Sequence, residues 1–222
     1  MLYNNGKEDS AMPRKAMYTK EQITGAAYEL ARRGGMEAVV SRSVANELGC
    51  TTMPIFSFFT NMEELRNEVY EKAKRDCIRF MSASLDYRPA FKEFGLRWVK
   101  FACEEPHLFM MLFTSDPAQI IGRFSGIFDP ITQSIMDSFA LSDREARELL
   151  DRMITYANGV ACFLMHKPEL LTQEEVGKML SDVCTGLVMT LKLKNGTFDE
   201  SFARRMLDAD HLLPARINGE NE

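Results

Sequence analysis

The side chains best suited to nucleophilic or metal chemistry near neutral pH are three histidines (His107, His166, His211) and five cysteines (Cys50, Cys77, Cys103, Cys162, Cys184). Their spacing organises none of that chemistry. There is no Cys-x-x-Cys pair, no His-Glu-x-x-His, no glycine-rich phosphate loop and no Ser-His-Asp or Cys-His arrangement to nominate. The paired carboxylates Glu63-Glu64, Glu104-Glu105 and Glu174-Glu175 fall at helix starts or ends, where complementing the helix dipole or meeting solvent is role enough. The sequence therefore reads as a non-enzyme, with no catalytic residue, metal ligand or cofactor. An odd number of separated cysteines points to free thiols in a reducing cytoplasm.

A second set of residues is suited to recognition. Thr51, Thr52 and Ser57 offer hydroxyls, Met53 a flexible apolar arm and Arg42 a permanent cation, all within one short stretch. What they could do depends on the elements that hold them.

Those elements are helices. Thr19-Lys20-Glu21-Gln22 is a capping box: the hydroxyl accepts an orphan backbone N–H while Gln22 reaches back. Ile23, Ala26, Ala27, Leu30 and Ala31 then share one face, and Gly34-Gly35 ends the helix. Ser41 is expected to cap a second helix with Val44, Ala45 and Leu48 inward, stopped by Gly49. Thr51 is expected to cap a third, running to about Phe59 with Pro54 in its first turn. Asn61-Met62-Glu63-Glu64 opens a long helix through Phe80. Further helices are expected at about 89–105, 106–113, 129–141, 142–166, 172–194 and 199–208, two of them announced by the capping boxes Ser142–Glu145 and Thr172–Glu175. Period-two alternation bounded by turns is absent, so the fold class is all-α.

At 222 residues, 45% hydrophobic and 27% charged, the chain has the balance of a globular protein with a sizeable core. No apolar run approaches the roughly 18 residues that would span a bilayer, and the N-terminus lacks the apolar region of a secretory signal. The net charge of −5 is unevenly spread: residues 12–62 carry six bases against four acids, and residues 63–222 carry 20 against 26. A mildly basic N-terminal unit sits on an acidic body.

Three short helices, the last two joined by Leu48-Gly49-Cys50-Thr51, satisfy the helix-turn-helix pattern, in which one helix enters the major groove and its partner braces on the backbone. On spacing alone a small helical bundle with no nucleic-acid role fits as well. The residues go further. The stretch SRSVANELGCTTMPIFSFFTNMEEL resembles the DNA-binding domain of the TetR family, with Val44-Ala45, Gly49, Cys50-Thr51, Ile55-Phe56, Phe58-Phe59 and Glu63-Glu64-Leu65 in matching places. The close match covers about residues 17–70, and Glu105-Pro106-His107-Leu108-Phe109 is similar to a segment of many C-terminal domains of that family.

The resemblance implies a flexible arm at 1–17, a helix-turn-helix DNA-binding domain at 18–62, a helical ligand-binding and dimerisation domain at 63–196, and a short helix and tail at 197–222. It implies a cytoplasmic transcription regulator, by family default a repressor released from a pseudo-palindromic double-stranded operator by a small apolar or amphipathic effector. Where the family usually has tyrosine, histidine and lysine, this chain has Phe56, Phe58 and Met62. A phosphate-holding hydroxyl and ammonium are thereby lost. Phosphate contacts then fall to Lys15, Lys20, Arg42, Thr51 and Thr52, and the salt dependence of binding is expected to be weaker than the family's. Base reading falls to Thr52, Met53 and Ser57. Phe56 and Phe58 stand at family contact positions, with core packing as their alternative; Phe59 is expected in the core.

The Phe- and Met-rich body is mostly core, and an effector cavity is expected among Phe94, Trp98, Phe101, Phe128, Met153 and Tyr156. Helices Ser142–His166 and Thr172–Lys194 are expected to pair across a two-fold into a four-helix bundle. Gly159, Ala161 and Gly186 would allow close approach, and Val160, Val183, Leu187 and Leu191 would supply apolar area. The alternative is a helical protein-interaction module without DNA binding.

Overall fold

Thr19, Ser142 and Thr172 each close the capping box their spacing predicts, every hydroxyl accepting from the backbone N–H three residues on while that residue's side chain reaches back. The computed structural model describes residues 18–82, 90–113 and 124–208. Lys15 and the rest of the arm at 1–17, Pro89, and the tail beyond Asp208 lie outside them. The described residues hold helices and connecting turns, and no strand.

In chain order the helices are α1 (Lys20–Gly34), α2 (Ser41–Leu48), α3 (Met53–Phe56), α4 (Met62–Ser82), α5 (Ala90–Glu104), α6 (Pro106–Phe113), α7 (Ser125–Phe139), α8 (Asp143–Leu164), α9 (Gln173–Lys194) and α10 (Glu200–Asp208). The head, α1 to α3, is joined to the body by α4, whose Leu65, Val69, Ala73, Cys77 and Met81 form one buried stripe at the i, i+4 spacing that puts residues on one helix face. The first of these sit against α1, and the stripe continues into the body. Buried side chains thus form one apolar cluster running from Ile23 to Leu191. Among the described residues no helix is long and apolar enough to cross a membrane.

Three element starts differ from expectation, each for a local reason. Ser41 is the first residue of α2 and the N-cap is Val40, extended at φ −121° and ψ 152°. Burial of Val39, whose carbonyl accepts from Arg66 Nε at 3.2 Å, fixes the chain one residue earlier. Thr51 does not cap α3. Of the two donors open to a hydroxyl at that position, the N–H groups of residues 53 and 54, proline removes one; Thr52 is already helical at φ −74° and ψ −14°. The regular helix ends at Phe56, and hydrogen bonds from Ser57 N to Met53 O and from Phe59 N to Ile55 O carry the turn on to Phe59. The third difference is α7, which begins at Ser125, ahead of Asp129-Pro130, and carries Pro130 inside. Burying Phe124, Ile127 and Phe128 holds that extra turn despite the missing N–H.

Candidate nucleic-acid interface and internal cavity

Gly49 makes the head possible. It lies at φ 67° and ψ 33°, a left-handed conformation that costs an L-residue roughly 1–2 kcal/mol. There its N–H bonds the Ala45 and Asn46 carbonyls, and Cys50 N reaches Ala45 O at 2.9 Å. The chain turns at once from α2 into α3. Ile23, Ala27, Val44, Ala45, Ile55, Phe59 and Leu65 are all buried, so α1, α2, α3 and the start of α4 share one small core. Tyr18 donates to the Leu48 carbonyl at 2.9 Å, and Arg33 pairs with Glu47 at 2.7 Å, fastening α1 to the end of α2.

The outward face of this unit carries most of the expected contact residues. Arg42 and Thr51 are exposed and Thr52 is half-buried; Arg42 makes no ion pair with any described residue. Met53, Phe56 and Phe58 are 78%, 49% and 36% exposed, so neither phenylalanine is a core residue, whereas Phe59 is buried. Ser57 is exposed, and its hydroxyl donates to the Met53 carbonyl at 3.1 Å, leaving its lone pairs outward. Val40, also exposed, was absent from the sequence-based set; no spacing rule separates it from buried Val39. Lys20 is placed differently. Its ammonium lies 2.7 Å from Glu68 of α4 and above the Phe59 ring, an engagement that ties α1 to α4.

In the body, α5 packs between α8 and α9. Phe91, Phe94, Gly95 and Trp98 of α5 face Leu149, Leu150, Met153, Ile154 and Ala157 of α8, Leu180 and Cys184 of α9, and Ile131 and Ile135 of α7 around a cavity of about 30 Å³. Three of the six expected ligand residues, Phe94, Trp98 and Met153, line it. Phe101, Phe128 and Tyr156 do not. Phe101 meets Phe80 at a tilt and Phe113 edge-on instead, and Phe128 meets Phe94 edge-on and Trp98 at a tilt. Tyr156 lies one step, about 100°, around α8 from Ala157. The missed lining residues follow from the i, i+4 register of α5 and α8, which places Phe94 with Trp98 and Met153 with Ala157.

All lining groups are apolar, and Trp98 Nε1 turns aside to donate to Asn158 Oδ1 at 2.7 Å. Burial pushes the Cys184 thiol up to about 12, so it stays a neutral wall group. A space of this size holds at most a couple of waters, well below the roughly 300 Å³ of an occupied ligand pocket.

On the outer side of α8 and α9, Gly159 and Gly186 are exposed with open space where a Cβ would stand. Val160 and Leu191 are buried within the chain, so the apolar area expected of them for pairing is already used, and Ala161, expected to allow close approach, is buried as well. Phe163 and Leu193 are exposed instead, at 78% and 61%, beside half-buried Val183 and Leu187.

The architecture is TetR-like. A crystal structure of a protein assigned to the TetR family of transcription regulators, from Shewanella sp. PV-4, matches with a TM-score of 0.54 at 19% identity, covering 77% of this chain and 96% of that one. A transcriptional regulator from Rhodococcus sp. Rha1 matches with a TM-score of 0.53 at 15% identity, covering 78% and 97%. No family model matches the sequence, and no curated protein does.

Proposed function

We propose that the chain is a DNA-binding transcription regulator that acts as a homodimer and is released from its operator by a small apolar effector. The observation that carries this reading is the α2–Gly49–α3 unit, built on a closed core with Arg42, Met53, Phe56 and Phe58 exposed on its outer face. Both similar structures are regulators by description, which supports the same reading. Arg42 is the described cation available to a phosphate; Thr51, Thr52, Met53, Ser57, Phe56 and Phe58 face the groove. Lys20 contributes through its bond to Glu68, holding α1 against α4. With few cations engaged, the slope of log affinity against log salt is shallow, near one unit per phosphate contact.

Dimerisation runs through the exposed edges of α8 and α9 at Gly159, Phe163, Val183, Gly186, Leu187 and Leu193. The effector enters the cavity beside Phe94, Trp98 and Met153, and α5, α8 and α9 part to admit it. A mobility shift with DNA from upstream of the chain's own gene tests the reading. A discrete dimer-sized complex supports it, and binding no tighter than to unrelated DNA refutes it.

A further inference from the structure

The reading surface of this head is unusual in its chemistry. From Leu48 to Met62 there is no Asp, Glu, Lys or Arg. The side chains that α3 and its following turn send outward are Met53, Phe56 and Phe58, with Ser57 between them. Met53 and Phe56 stand three residues apart on one helix face, about 5–6 Å between Cβ atoms. No group here can make the bidentate pairs that arginine makes with guanine or asparagine with adenine. The hydroxyl of Ser57 is committed as a donor to the Met53 carbonyl, so toward a base it acts as an acceptor.

In the major groove the single apolar feature of the base edges is the 5-methyl of thymine. The rims of that groove are anionic and its thymine-bearing floor is not. The head matches this arrangement in charge: a neutral apolar face, with the unpaired cation Arg42 in the first turn of α2 beyond it.

Resting on the DNA-binding reading above, we infer that the chain recognises its operator chiefly by thymine methyl groups, through Met53, Phe56 and Phe58, and that each half-site carries thymines where these three side chains land. Specificity then comes from burying methyls rather than from directed hydrogen bonds. Removing one contacted methyl weakens binding about fourfold, the equivalent of one buried carbon.

The test selects a duplex from a pool with a randomised centre, using the full chain, and resynthesises it with deoxyuridine in place of thymidine. Uracil keeps every hydrogen-bonding group and lacks the methyl. The expected result is a loss of about fourfold per half-site thymine. In the variants Met53→Ala and Phe56→Ala the thymine and uracil duplexes converge in affinity, while Leu170→Ala, at an exposed position outside both the head and the proposed dimer edges, retains the difference. Equal affinity of the wild-type chain for both duplexes overturns the inference and leaves the DNA-binding reading standing. Failure to enrich any duplex overturns both.

Discussion

Arg32 and Glu105, 73 residues apart in sequence, meet in a forked ion pair, with Arg32 Nε 2.8 and 2.7 Å from the two carboxylate oxygens and a guanidinium NH₂ on the same group. Arg32 ends α1 and Glu105 lies between α5 and α6. The pair thus joins the head to the body beside the packing of α1 on α6. The hydrogen bond to Glu105, then its charge, pushes the Arg32 guanidinium still further above its ordinary range.

Because Arg32 is nearly half exposed, the pair's contribution to stability is modest. A double-mutant cycle with Arg32→Ala and Glu105→Ala is expected to give a coupling of about 0.5–1 kcal/mol, shrinking with added salt. Coupling that is absent at low salt would mean the head is held to the body by packing on α4 and α6 without help from this pair.

Trp98 is the chain's single tryptophan and 2% exposed. Its native fluorescence is expected to be blue-shifted and to move red on unfolding. Trp98→Phe keeps the aromatic volume near Phe94, Phe109 and Phe113 but leaves Asn158 Oδ1 without its donor. The expected cost is about 1–3 kcal/mol by urea denaturation.

Stability should have opposite limits in acid and base. Burial works to raise the Asp76 carboxyl, but hydrogen bonds from Lys72 and Tyr28 and the charges of Lys72 and Arg79 hold it below its ordinary value. That stabilisation is present above about pH 4 and is lost as pH falls through the depressed value. Burial, then the hydrogen bond and charge of Asp76, push the Tyr28 phenol up, and burial pushes the Cys77 and Cys184 thiols up to about 12. These contributions are complete below about pH 8.5 for the thiols and about pH 10 for the phenol, and are lost as pH rises through the raised values. Urea midpoints measured across pH should therefore fall on both sides of a plateau. Tyr28→Phe should flatten the alkaline side.

Ala140 follows α7 at φ 49° and ψ 52°, left-handed and exposed. Glycine there removes a strain of roughly 1–2 kcal/mol while adding freedom to the unfolded chain. Ala140→Gly is expected to raise the melting temperature by about 1–4 °C; a lower value would show that the strain is smaller than the freedom glycine gives the unfolded chain.

Most of the fold was legible because its helices announce themselves. Thr19, Ser142 and Thr172 stand three residues before a partner that closes each box, and that signal is local. The α3 start is less legible, because Pro54 suits a helix's first turn and at the same time removes one donor that a Thr51 cap would use. The cavity was half legible. Phe94, Trp98 and Met153 lie on inward faces that periodicity identifies, but which inward residues leave a gap depends on how α5, α8 and α9 cross. At that crossing a Cβ on Gly95 would stand 3.1 Å from Leu180 Cδ1. The Lys20–Glu68 pair is hidden in the sequence for a similar reason: Glu68 is 48 residues away and becomes a neighbour only when α1 docks on α4.

Fluorescence anisotropy measures sequence-specific DNA binding by α2 and α3. The full chain is titrated at fixed salt against its selected duplex and a scrambled duplex of equal length and composition. A preference of about a thousandfold or more for the selected duplex is expected, lost in Met53→Ala/Phe56→Ala with the helical content unchanged. Equal affinity for the two duplexes would contradict it.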